Sequence, residues 1–229
     1  MSTSKLVNYT KLSPNHSGKR THSIDRITPH CVVGQCSVET LGNIFQNTAC
    51  EASCNYGIGY DGRVLLCVDE GNRSWCSSSN ANDQRAVTIE CASDTVAPYT
   101  MNSKVYNKLV ALCVDICKRN GKTKLLWFGN EDKTLNYSPK SGEMVLTVHR
   151  WFANKSCPGD WLYNRLGNLA DEVTAQLGGK TSNKENEEMI KYGAHNTATL
   201  AFKKQLITLY NIQLTALSMK RQSMRFITS

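Results

Sequence analysis

Short β-rich runs alternate along this chain with segments of helical periodicity, and that alternation limits the fold to a sheet covered by helices. Residues 26–33 read as a strand and residues 38–45 as a helix starting after Ser37. Runs at 55–60 and 63–68 flank Asp61-Gly62, a dipeptide that favours a tight hairpin turn. Residues 86–91, AVTIEC, form a β-rich run. Residues 102–119 place Leu109, Leu112, Cys113 and Ile116 at helical spacing and stop at Asn120-Gly121. A short apolar run at 124–128 and a strand at 144–151 follow. Beyond Pro158, a helix is expected through Trp161, Leu166, Leu169, Val173 and Leu177 to a Gly178-Gly179 stop. The fold class these elements imply is α/β, with a single mixed β-sheet flanked by helices.

With 229 residues, 40% of them hydrophobic and 20% charged, the chain is globular and has room for one α/β domain plus a small appendage. The division expected is a polar N-terminal arm at 1–24, a catalytic domain at 25–178, and a linker with a basic tail at 179–229. The linker carries TSNKENEE, too polar to join a core. The tail aligns Leu206, Tyr210, Leu214 and Leu217 on one helical stripe. Its Lys203, Lys204, Lys220, Arg221 and Arg225 suit contact with an anionic wall polymer or membrane. This tail is expected to be separable from catalysis.

A net charge of +8 fits nucleic acid, an anionic membrane or an acidic polymer. No aromatic-and-basic motif of a nucleic-acid binder accompanies it, so no nucleic-acid partner is expected. The polar start of the chain has no apolar stretch of signal-peptide length, and no run approaches the ~18 residues of a membrane span. Synthesis in the cytoplasm is therefore expected. None of the ten cysteines forms a CxxC pair. Those in apolar runs (Cys67, Cys91, Cys113 and Cys117) read as small buried hydrophobes rather than disulfide partners.

The stretch VLTVHRWFANKSCPGDWL carries the most chemistry. His149 stands at the end of an expected strand and Cys157 follows eight positions later, before a Pro-Gly helix start. Zinc accepts imidazole and thiolate ligands together, and a catalytic site keeps one position open. His30, ending the run RITPH, offers a third ligand at the same sheet edge. A lone histidine at a strand end is more often a hydrogen-bonded structural residue, so spacing leaves both readings open. His16, His22 and His195 read as ordinary. In AVTIEC, alternation puts Val87, Ile89 and Cys91 on one face and Thr88 and Glu90 on the other. That face is either solvated or a cleft.

HRWFANKSCPGDWL resembles the terminal motif of the amidase family that includes phage endolysins, bacterial autolysins and peptidoglycan recognition proteins. In that pattern a zinc His is followed six residues later by Lys and two further by Cys or Asp, which map to His149, Lys155 and Cys157. ITPHCVVGQ is similar to the segment bearing the first zinc His, here His30. NYGIGYDGRV is similar to the family's hairpin, and NDQRAVTIECASD to the strand carrying its catalytic Glu, here Glu90. The resemblance spans roughly residues 25–178. It implies a peptidoglycan-recognition-protein-like amidase fold, with the tail as a short helical extension.

The activity so implied is hydrolysis of the amide between N-acetylmuramic acid and L-alanine in peptidoglycan, with Zn2+ on His30, His149 and Cys157. Glu90 would be the base and Lys155 the oxyanion partner. Trp75 and Asn82 are candidate substrate contacts, although a packed aromatic is an equal reading for Trp75. A Tyr that some members carry seven residues before the hairpin Asp is replaced here by Cys54, which shifts the burden to Glu90. Family relatives that keep the groove but lose zinc ligands make a non-catalytic binding module the alternative. An endolysin without a signal peptide would reach the wall through a membrane lesion.

Overall fold

A computed structural model describes residues 3–178. The expected helical tail at 180–229 lies outside the described residues. In chain order the elements are β1 (Val7–Thr10), β2 (His16–Lys19), β3 (Arg26–Cys31), α1 (Val38–Ile44), β4 (Tyr56–Ile58), β5 (Val64–Leu66) and β6 (Asn72–Ser74). Then come α2 (Asn80–Asp83), β7 (Ala86–Cys91), α3 (Ser103–Arg119), β8 (Lys124–Leu126), α4 (Glu131–Leu135), β9 (Glu143–Leu146), α5 (Asp160–Tyr163) and α6 (Leu166–Gln176). Among the described residues no helix is long and apolar enough to cross a membrane.

Seven strands form one mixed sheet in the order β1-β5-β4-β7-β3-β9-β8, and β2 pairs with β6 separately. The centre is parallel. β3 and β7 stay in register from Arg26↔Ala86 through His30↔Glu90 to Cys31↔Cys91. All six residues of β3 are buried, as befits a parallel strand covered on both faces. Tyr56↔Leu66 and Ile58↔Val64 close the expected hairpin around Asp61-Gly62.

The two faces of the sheet differ in chemistry. One is apolar, with Ile27, Val87, Ile89 and Cys91 clustering with Leu109, Leu112, Cys113, Ile116, Leu166, Leu169 and Val173 of α3 and α6. On the other face, towards the β4–β5 side, Val38, Leu41 and Phe45 pack with Leu65, Cys54 and Cys67. Gly57, the register partner of Glu90 in β4, is required there. A Cβ on it would lie 3.1 Å from Leu41 Cδ1 and 3.2 Å from Leu65 Cδ2.

A buried polar layer fills the rest of this second face. Thr28 Oγ1 and Thr147 Oγ1 are 2.7 Å apart, and Asn82 joins both, donating to Thr28 (3.0 Å) and accepting from Thr147 (3.0 Å). Asn55 Oδ1 accepts from the Thr88 backbone N–H at 3.1 Å and from Arg20 Nη2 at 2.9 Å. Its amide donates to the carbonyls of Val68, Asp69 and Asn72. Buried polar atoms satisfied by one another in this way hold the strands at fixed spacing.

Three local expectations change. Residues expected as a polar arm supply β1, an edge strand parallel to β5, and β2. Their polarity misleads because Ser13 and Asn15 spend it on backbone carbonyls: Ser13 Oγ donates to Phe45 O, and Asn15 Nδ2 to Ala52 O at 3.1 Å. The strand expected to reach 151 ends at Leu146, and a single helical turn, His149–Trp151, follows. The last helix is broken into α5 and α6. All ten cysteines are free thiols, as expected for the four in apolar runs.

An ion pair ties the end of α3 to the β5–β6 connection. Glu70 is 1% exposed, accepts from Arg119 Nη1 at 2.8 Å and accepts a hydrogen bond from the Tyr56 hydroxyl at 2.6 Å. Removing one partner of such a pair strands the other charge, at a cost of about 3–5 kcal/mol. Arg119→Met should therefore lower stability by about 3 kcal/mol or more in urea unfolding; an unchanged midpoint would mean that the Arg119–Glu70 pair contributes nothing to stability.

Candidate metal centre

The parallel register of β3 and β7 sets two side chains next to each other on the polar face, because in-register residues of neighbouring parallel strands point the same way. His30 Nδ1 lies 3.9 Å from Glu90 Oε1. Burial keeps His30 neutral, lowering its pKa to about 3 with help from nearby His149, and burial raises Glu90 to about 7. The contact is therefore not an ion pair. It joins a neutral imidazole to a carboxyl poised between its two forms.

His149 arrives from the turn after β9, two residues beyond the strand-side Thr147. Its ring stands edge-on to that of His30, with centroids 5.1 Å apart. Its Nε2 is 2.9 Å from Ser78 Oγ, which leaves Nδ1 as the nitrogen for a ligand role. Ser78 sits at φ 61, a left-handed conformation that is costly for a non-glycine residue. The loop around it is over-determined: Asp83 Oδ1 accepts the Ser77 hydroxyl at 2.6 Å, and Asp83 Oδ2 the Cys76 N–H at 3.0 Å. Burial also lowers the His149 pKa, with a smaller contribution from Lys155.

Cys157 completes the group from the opposite side. Its Sγ is 3.2 Å from His30 Nδ1. Arg150 clamps the loop that carries it, reaching Asp160 Oδ1 at 3.0 Å and the Ser156 carbonyl while its guanidinium lies over the Tyr163 ring. Gly159 then turns the chain into α5 at φ 81, where a Cβ would fall 2.8 Å from Pro98 O. The Cys157 thiol is held protonated, first by its hydrogen bond with Cys31 and then by burial. A bound metal ion would reverse that preference by taking the thiolate.

The donor atoms of His30, His149 and Cys157 all lie within 4.8 Å of one another. A tetrahedral zinc with bonds of ~2.3 Å to sulfur and ~2.0 Å to nitrogen spaces two such donors about 3.5 Å apart. The 3.2 Å between Cys157 Sγ and His30 Nδ1 fits that requirement, and the N₂S donor set suits zinc.

The other expected site residues divide. Lys155 is exposed on the Cys157 loop. Trp75 is half-buried, with its indole N–H donated to Ser17 Oγ at 2.7 Å. Asn82 is not at the surface. It is 0% exposed, and beyond its bonds to the two threonines it donates to Ser77 Oγ, so substrate does not reach it and it acts as a strand tie. Tyr56, two residues after Cys54, falls on the apolar face opposite Ile89 and is spent on Glu70, away from the metal group. Ser78 and Cys76 were not legible: nothing in the run SWCSSSN distinguishes the residue that meets His149 from its neighbours.

Solved structures show the same fold at low sequence identity. PlyL aligns with a TM-score of 0.51 and 16% identity, covering 72% of this chain and 95% of that one. A mutant endolysin from Bacillus subtilis aligns at 0.51 and 13%, covering 73% and 99%. The Staphylococcus aureus hydrolase AmiA aligns at 0.50 and 12%, covering 76% and 86%. No curated protein matches by sequence. Residues 20–160 match the Amidase_2 sequence model, a span that contains β3, β7, the His149 turn and Cys157. The chain belongs to the N-acetylmuramoyl-L-alanine amidase family.

Proposed function

We propose that this protein is a zinc-dependent amidase that cuts peptidoglycan between N-acetylmuramic acid and L-alanine and so lyses cell walls. The observation that carries this reading is the convergence of His30, His149 and Cys157 beside a half-buried Glu90, inside the segment that matches the family. When bound to those three side chains, zinc supplies Lewis-acid polarisation of the scissile carbonyl and lowers the pKa of water.

The chain's own residues do the rest. Glu90, with a pKa near 7, is suited both to accept a proton from the attacking water and to return it to the departing amine nitrogen. Neutral His30 presents a lone pair rather than a competing positive charge. Lys155 places its ammonium on the loop of Cys157, where it would meet the negative charge that develops on the carbonyl oxygen. Trp75, fixed by Ser17, offers an aromatic face for sugar or peptide. Catalysis is assigned to 25–178 and targeting, through an anionic wall polymer or membrane, to the basic residues of 179–229.

The purified protein should contain about one zinc per chain by plasma emission, and Cys157→Ser and His149→Ala should lose wall lysis. Lysis at the parent rate by Cys157→Ser would remove that residue from the ligand set. Glu90→Gln should keep zinc and the melting profile while losing ~10²–10⁴-fold in turnover, the usual contribution of a general base. Undiminished turnover in that variant would assign the proton to another group.

A further inference from the structure

His30, His149 and Cys157 leave an unusual neighbour unexplained. Cys76 Sγ lies 3.9 Å from Glu90 Oε1, and the donor atoms of His30, Cys76 and Glu90 also lie within 4.8 Å of one another. Glu90 Oε2 is buried with no hydrogen-bond partner among the described residues, and His30 Nε2 is likewise buried and unpartnered. A thiol is a weak donor, so the Glu90 carboxylate, with Cys76 Sγ on Oε1 and no partner on Oε2 among the described residues, is poorly satisfied. A divalent cation would satisfy it.

The position of Cys76 is built into the fold. Asp83, at the end of α2 and 2% exposed, accepts the Cys76 N–H at 3.0 Å and both the N–H and the hydroxyl of Ser77. On the preceding side, Trp75 N–H donates to Ser53 Oγ at 3.0 Å. Anchored on both sides, the thiol is held towards Glu90.

We propose that His30, Cys76 and Glu90 form a second metal seat, which takes a thiophilic divalent ion such as zinc, cobalt or cadmium. One nitrogen, one sulfur and one oxygen donor favour these ions over magnesium or calcium, which prefer shells of oxygen. The seat shares His30 with the first triad, so the two are alternative positions for one ion. An ion in the second position engages the Glu90 carboxylate and takes it out of proton transfer, which makes that form inactive. The inference rests on the reading of the first triad as the catalytic zinc site.

Cobalt(II) alone, titrated into the full-length metal-free protein, separates the two. A cobalt–thiolate bond gives a near-ultraviolet charge-transfer band, so the wild type tests the first triad through Cys157. In Cys157→Ser the ion should move to the second seat and keep a band of similar intensity, now from Cys76. Cys157→Ser/Cys76→Ser should lose that band. Cys157→Ser/Glu90→Gln should keep it, with cobalt affinity weakened about tenfold or more. Near-ultraviolet circular dichroism on each variant verifies the fold, and the Glu90 variant keeps the test available should replacement of Cys76 disturb its loop. A wild type with the band and a Cys157→Ser protein without it would overturn the second seat and leave the first intact. A band that survives removal of both cysteines, or a cobalt affinity indifferent to Glu90, would overturn it as well. A wild type without any band would count against both triads, since each contains a cysteine.

Discussion

Six consecutive residue pairs hold β3 against β7 in parallel register, and the candidate chemistry depends on that alignment. A slip of one residue would turn His30 or Glu90 to the opposite face, because side chains alternate along a strand. The register is fixed from both sides of the sheet. Ile27, Val87 and Ile89 are wholly buried in the apolar layer under α3, and Thr28 and Thr88 are wholly buried in the polar one. The polar layer contributes specificity that an apolar one would lack, since each shift of register would break the bonds of Asn82 and Asn55.

From that alignment the site is assembled by loops that are themselves fastened. The Cys157 loop is clamped by Arg150, and the Ser77–Ser78 loop by Asp83. Both fasteners are charged groups tied to hydrogen-bond partners, which lets short loops hold side chains with little freedom. Burial supplies the electrostatics. The same desolvation that keeps His30 neutral lifts Glu90 towards neutrality, so one environment suits the proposed ligand and the proposed proton acceptor alike.

Much of this was legible in the sequence, for identifiable reasons. AVTIEC alternates so clearly that β7 spans the residues expected of it, with Glu90 on the face opposite Ile89. Ser37 and Asn102 cap their helices where the apolar spacing begins. The segment 144–151 was harder. Its apolar run continues past the point where β9 ends, and only tertiary contacts show that His149 opens a helical turn. Polar residues misled in both directions. Ser13, Asn15 and Asn82 look like surface groups by composition, yet all are buried because backbone carbonyls and threonine hydroxyls satisfy them. Cys76 and Ser78 enter the site through a loop fold set by Asp83, which no spacing rule encodes.

The central claim is the identity of the bond that this site breaks, and the new chain ends reveal it directly. Purified peptidoglycan digested with the zinc-loaded protein should release stem peptides with a free N-terminal alanine and no increase in reducing sugar ends. New reducing ends without free alanine would mean cleavage of the glycan strand, and would contradict the assignment of His30, His149, Cys157 and Glu90 to amide hydrolysis.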